Sequence, residues 1–267
     1  MRRHALTLAA VLVLGLPLSG SCTGRSELPH PGFSLSLHDL GELVSSLSET
    51  SRTEIVVRPG EFLELMRGVL EGPQDLLVVV DKTRGLTPES TPPDLVDLSR
   101  FPLRTNKPGM KLRAIVIPDL SAMSEAARTA GAPLVISSAW RSYQYQERLY
   151  ASALARQPRE EVEKTLAPPG HSQHQLGTAI DFGSIDVSFA ETEAGQWLLA
   201  HAGSFGFSLS FPRGQESLSG YSWEPWHYRY VGRSAVLLIE GFFGGRQQDF
   251  LGFYEQKKAA FSQKLRR

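Results

Sequence analysis

Residues 172–183 read SQHQLGTAIDFG. Within this stretch TAIDFG (178–183) is short, rich in strand-favouring residues and apolar on both sides of Asp181, which predicts a buried strand. The preceding APPG (167–170) cannot continue regular structure, so His174 falls in a loop that leads into the strand. A carboxylate flanked by Ile180 and Phe182 is costly to bury unless it is paired, hydrogen-bonded or metal-bound. An Asp satisfied by backbone donors and a structural His are the plain alternatives for this stretch alone.

Two other segments carry side chains that a core would not select. WEPWHYRY (223–230) reads as a strand whose start is bent by Pro225, a residue that cannot donate to a ladder. In a regular strand Glu224 and His227, three apart, would point to opposite faces. The bend allows Glu224 to lie on a loop while His227 projects from the strand. SSAWRSY (137–143) is a strand end turning into a helix, which places Arg141 at the strand's exit and Gln146 one turn further on. An aromatic core strand and a surface arginine are the respective alternatives.

Around these segments helices and strands alternate without internal repeats. Apolar spacing predicts helical structure over about 37–72, a helix from near Pro118 to Gly131, a helix over 143–156, a short one opening at Pro158, and others over 191–202, 233–243 and 249–265. LLVVVDK (76–82), PLVISSAW (133–140), FSLSF (207–211) and WHYRYV (226–231) read as strands, and GLTPESTPPDL (85–95) as an irregular connection. Mixed order of this kind predicts an α+β domain.

His174, Asp181 and His227 together make a nitrogen and oxygen donor set of three, leaving a fourth position open, the pattern of a catalytic zinc site. A structural site wants four protein ligands, usually thiolates, and the chain has a single cysteine. Zinc lowers the pKa of its bound water toward about 7, and Glu224 could then serve as the base that takes the proton. Arg141 could stabilise a developing oxyanion or hold a substrate carboxylate with its fixed fork of donors.

The N-terminus MRRHALTLAAVLVLGLPLSGSC (1–22) is a secretory signal: charged start, apolar run, small residues. Cys22 stands where a bacterial lipoprotein signal places the residue to be lipidated, although Leu18 lies four residues before it and Ser19 holds the usual Leu position. Ordinary cleavage beside Ser19 and Ser21 is the alternative. Residues 23–36 have the Ser, Pro and Gly content of a flexible tether. The reading divides the rest into an N-terminal helical extension (37–74), the domain carrying the site (75–245) and a C-terminal basic helix (246–267). Lys plus Arg and Asp plus Glu number 28 each, which argues against a nucleic-acid partner.

These segments resemble the VanY-type D-alanyl-D-alanine carboxypeptidases, relatives of the VanX dipeptidases and of L,D-carboxypeptidases. The family's S-x-H-x-x-G-x-A-x-D signature is matched by Ser172 through Asp181, its E-x-W-H by Glu224 through His227, and its S-G-Y-R-S by Ser138 through Ser142, with Ala139 and Trp140 in place of Gly and Tyr. The likeness runs over about residues 75–232. It implies a small antiparallel sheet with helices packed around it and zinc on the sheet's open face, with His174, Asp181 and His227 as ligands and Glu224 as general base. It further implies Arg141 near the scissile carbonyl and Ser172 and Gln146 as substrate contacts. His171 is not a family ligand and is read as a pocket-rim or exposed residue, along with His201. The implied activity is removal of a C-terminal D-alanine from a peptidoglycan stem peptide by an exported, lipid-anchored, monomeric enzyme. An L,D-carboxypeptidase acting on tetrapeptide stems, or a non-catalytic zinc- or wall-binding lipoprotein, are the alternatives.

Overall fold

The computed structural model describes residues 28–266; the signal segment with Cys22 and its expected lipidation, and the first part of the tether, lie outside the described residues. The chain opens with three helices, α1 (Leu37–Leu43), α2 (Glu49–Val57) and α3 (Pro59–Glu71). Ser36 and Asp39 satisfy each other's backbone N–H in a capping box at the start of α1. α3 begins on Pro59, whose missing N–H falls where a helix has no partner for it, and turns Phe62, Leu63, Met66 and Val69 inward. There follow β1 (Leu95–Asp97), β2 (Lys111–Arg113), α4 (Ile117–Thr129), β3 (Ile136–Ser138), α5 (Tyr143–Leu154), α6 (Arg159–Val162), β4 (Ala179–Phe182), α7 (Glu193–His201), β5 (Phe207–Leu209), α8 (Glu216–Ser219), β6 (His227–Tyr230), α9 (Arg233–Phe243) and α10 (Gln247–Lys264). Phe62 meets Phe242 of α9 edge-on at 5.4 Å and packs against Phe261 of α10 at 6.0 Å, so helices from both ends of the chain share one hydrophobic core with the sheet.

The fold is the expected α+β arrangement. Strands β3, β4, β6 and β5 lie in that order in one antiparallel sheet, and β1 pairs with β2 in a separate two-stranded ladder. In the β4–β6 register Ile180 faces Tyr228 while Asp181 faces His227 and Ala179 faces Arg229. Alternation therefore sends Ile180, Phe182, Tyr228 and Tyr230 to one side, where they join the core, and Asp181, His227 and Arg229 to the other. Tyr230 ends at the rim of the core, where its hydroxyl donates to Asp119 of α4 at 2.7 Å.

The expected strand at 76–82 does not form. Gln74–Leu77 is a 3₁₀ turn, and the residues after it pair with no neighbouring strand. Leu76, Leu77, Val79 and Val80 are buried as the apolar run suggested, but their backbone is satisfied differently: one nitrogen of Arg229, Nη2, donates to the carbonyls of Leu76 and Val78 at 2.8 Å each. Arg229 is wholly buried, and burial pushes its pKa down to about 9, which still leaves it cationic at neutral pH. A side chain remote in sequence has thus taken the role of a ladder partner. Conversely, β1 and β2 went unread because three-residue strands carry too little periodicity to register.

Beyond Val80 the chain turns on Asp81, whose carboxylate accepts from the N–H groups of Thr83 and Arg84 at 2.8 Å each and pairs with the Arg84 guanidinium. Burial pushes this carboxyl up, but the Arg84 and Thr83 donors outweigh it and hold it at about 2.

Replacing Arg229 with Met should destabilise the fold by about 2–4 kcal/mol in urea denaturation, because two buried carbonyls lose their donor. Asp81→Asn should cost about 1–2 kcal/mol at pH 7 after allowance for solvent screening. A depressed carboxyl contributes stability above its unfolded value, near 3.9, that is lost as pH falls toward its folded one. The difference between Asp81→Asn and wild type should accordingly shrink between pH 4 and about 2 in parallel melts.

Candidate active site

His174 sits in the 3₁₀ turn Gln173–Leu176, which Ser172 caps by accepting the His174 N–H and which Gly177 ends at φ 69°, a conformation open to glycine. The Nδ1 of His174 lies 2.7 Å from the carbonyl oxygen of Ala139, in the segment following β3. A carbonyl can only accept, so Nδ1 carries the proton and Nε2 presents a lone pair. That lone pair is buried without a hydrogen-bond donor and faces Asp181 Oδ2 at 3.1 Å. Burial and the nearby Arg141 lower the His174 pKa to about 4, against the pull of Asp181, so the ring is neutral at pH 7. A neutral nitrogen lone pair and a carboxylate oxygen in contact in a buried site repel each other unless a cation or a proton lies between them.

His227 is the first residue of β6. The turn before it is closed by its N–H donating to the Glu224 carbonyl at 3.2 Å. This is the bend expected at Pro225, and it leaves Glu224 on the loop and His227 on the strand. The Nδ1 of His227 is 2.9 Å from Asp181 Oδ1, and its Nε2 is 3.2 Å from Gln173 Oε1. Among the described residues His174, Asp181 and His227 form a group whose ligand atoms all lie within 4.8 Å of one another. Two imidazole nitrogens and one carboxylate oxygen, converging from a loop and two adjacent strands, fit zinc with an open coordination position.

Glu224 is buried with its carboxylate 3.6 Å from His227 Nδ1. Burial first and then repulsion from Asp181 raise its pKa well above the usual carboxylate range, while Arg141 opposes both. Arg141 is far from a free surface residue: Nη2 lies 3.9 Å from Asp181, and Nη1 donates to Gln146 Oε1 at 3.1 Å. Gln146 in turn donates to the Ala167 carbonyl at 2.7 Å, so both ends of its amide are engaged. These residues and Ser172 line one cavity of about 470 Å³ whose exposed edge carries Lys107, Tyr145 and Ile185. His171 is at the rim, its Nδ1 donating to the Asp81 carbonyl at 2.7 Å; His201 is exposed on α7 and lies tilted against Trp197. Sequence reasoning passed over Gln173, although it stands between Ser172 and His174. A second buried polar residue beside a ligand was the available signal.

The sequence profile of VanY, D-alanyl-D-alanine carboxypeptidase, matches residues 109–233, which contain His174, Asp181, His227, Glu224, Arg141, Gln146, Ser172 and Gln173. A D-alanyl-D-alanine carboxypeptidase of Enterococcus faecalis is 31% identical over 140 residues, 49% of this chain and 52% of that protein, so the chain spans about half its length. The structure of the LdcB LD-carboxypeptidase, solved in connection with peptidoglycan recognition, superimposes with a TM-score of 0.61 at 26% identity, covering 68% of this chain and 88% of that one. The vancomycin-resistance D,D-pentapeptidase VanY in complex with Zn(II) gives a TM-score of 0.55 at 27% identity, covering 66% of this chain and 99% of that one. Helices packed around a small antiparallel sheet, a His, Asp, His cluster on the sheet's open face and these likenesses together place the chain in the VanY-type D-alanyl-D-alanine carboxypeptidase family.

Proposed function

We propose that the protein is a zinc-dependent carboxypeptidase that removes a C-terminal D-alanine from peptidoglycan stem peptides, with His174, Asp181 and His227 as ligands. The observation that carries this reading is the presence of Glu224 and Arg141, both withdrawn from bulk water, in the same cavity as the three donors. A binding protein needs neither. What zinc supplies at such a donor set is Lewis acidity and an acidified water. Glu224, whose burial and whose neighbour Asp181 favour the protonated form, is the group suited to take a proton on a carboxylate oxygen and hand it to the departing amine. Arg141, held by Gln146, directs its remaining donors toward the oxygen that becomes negative in the transition state. Ser172 and Gln146 are the proposed substrate contacts on the cavity wall, Gln146 also steadying Arg141.

Removal of D-alanine from a pentapeptide end is the D,D reading, supported by the profile match and by the VanY pentapeptidase neighbour. The LdcB LD-carboxypeptidase neighbour supports a second reading, cleavage of tetrapeptide ends. The LdcB LD-carboxypeptidase neighbour, solved in connection with peptidoglycan recognition, supports an exported location, and the N-terminal signal pattern alone supports Cys22 as the lipid anchor. None of the described helices is long and apolar enough to cross a membrane.

Incubation with defined tetra- and pentapeptide muropeptides, followed by mass spectrometry, tests the activity and separates the two readings; loss of one D-alanine from either is expected, and no loss from both would refute the enzyme. Glu224→Gln should lower kcat by about 10²–10⁴-fold while zinc content stays at the wild-type level. His174→Ala should lose zinc, and unchanged metal stoichiometry by atomic absorption would refute its assignment as a ligand.

A further inference from the structure

A buried chain of amides runs from the C-terminal helix to the metal-facing histidine. Gln247, the first residue of α10, donates from Nε2 to the carbonyl of Ser208 on β5 at 3.4 Å. Its Oε1 faces Gln173, which donates from Nε2 at 3.5 Å. Gln173 Oε1 is thereby turned toward His227 Nε2 at 3.2 Å and accepts from the Ser210 hydroxyl at 2.8 Å. Ser208, Ser210, Gln173, Gln247 and His227 are all buried, with Gln173 and His227 also on the wall of the cavity.

The direction of this chain is imposed from one end. The Ser208 carbonyl can only accept, so Gln247 must present its NH₂ to the strand and its oxygen to Gln173. Gln173 must then present its NH₂ to Gln247 and its oxygen to His227. An amide oxygen requires a proton on His227 Nε2, which leaves the lone pair of the neutral ring on Nδ1, 2.9 Å from Asp181. Turning the Gln173 amide over would set two oxygens against each other at the Gln247 contact and would let His227 donate Nδ1–H to Asp181, closing the donor set.

We infer that Gln173, oriented by Gln247, is a positioning residue that holds His227 in the tautomer able to bind a metal. This rests on the reading of His227 as a zinc ligand. Ligating histidines commonly donate their second nitrogen to a carboxylate or a backbone carbonyl. Here His174 uses the Ala139 carbonyl, and His227 uses a neutral side-chain amide that adds no charge to the site. Gln247 lies beyond the profile match at residues 109–233, so the last link is supplied by the chain's C-terminal helix.

Nitrogen-15 NMR of the histidine rings in the zinc-loaded wild type reads the tautomer directly: His227 should bind through Nδ1 and carry its proton on Nε2, and a metal-bound Nε2 would overturn the inference without any variant. Gln173→Met should weaken zinc binding by about 10- to 100-fold in chelator competition, and His227 should become a tautomer mixture. A wild-type Kd in Gln173→Met would refute the role of Gln173. His227→Ala separates the two levels: zinc retained in that variant would sink the ligand reading itself, whereas zinc lost there and kept in Gln173→Met would sink only the positioning role.

Discussion

Asp181 and His227 face each other across the β4–β6 ladder, and the rest of the site is arranged around that pair. Antiparallel register places their side chains on the same side of the sheet, next to the loop that brings in His174. A slip of one residue would send Asp181 into the core and Ile180 to the open face. The tyrosines and apolar residues on the opposite side, Ile180, Phe182, Tyr228 and Tyr230, prevent it, because the same slip would strip them of their core. The hydrophobic side of the sheet therefore holds the polar side in register.

Assembling that pair has an electrostatic cost. Asp181, Glu224, Arg141 and two imidazoles are withdrawn from water into one region, where like charges and unpaired lone pairs are penalised strongly. The His174 nitrogen without a donor and the elevated Glu224 pKa are the visible signs of this penalty. A divalent cation between the three donors would relieve both, which is why the geometry favours a metal centre over a purely structural hydrogen-bond cluster.

The scaffold around the site relies on side chains where a simpler fold would use backbone. Arg229, on the same face as His227, holds the carbonyls of Leu76 and Val78 and so closes the segment that leads to Asp81 and the His171 rim. Gln146 fastens Arg141, and Gln247 reaches in from the far end of the chain. Each contact joins residues widely or moderately separated in sequence, and each spares a buried polar group from being left without a partner.

The longer helices, the strand through Asp181, the bend at Pro225 and the donor residues were legible in the sequence, because residue type and short spacing directly constrain helices, strands, turns and ligand chemistry. Residues 76–80 were not: an apolar run specifies burial but does not reveal what satisfies its backbone, and Arg229 lies some 150 positions away. The β1–β2 ladder was too short to carry a pattern. The tautomers of His174 and His227 were likewise hidden, since they depend on which carbonyl or amide the fold brings to the second ring nitrogen. The sequence by itself determined the chemical character of the site, through its carboxylates, imidazoles and guanidinium at fixed spacings. Tertiary structure alone decided which atoms of those groups face one another, because protonation and hydrogen-bond direction are set by contacts between distant parts of the chain.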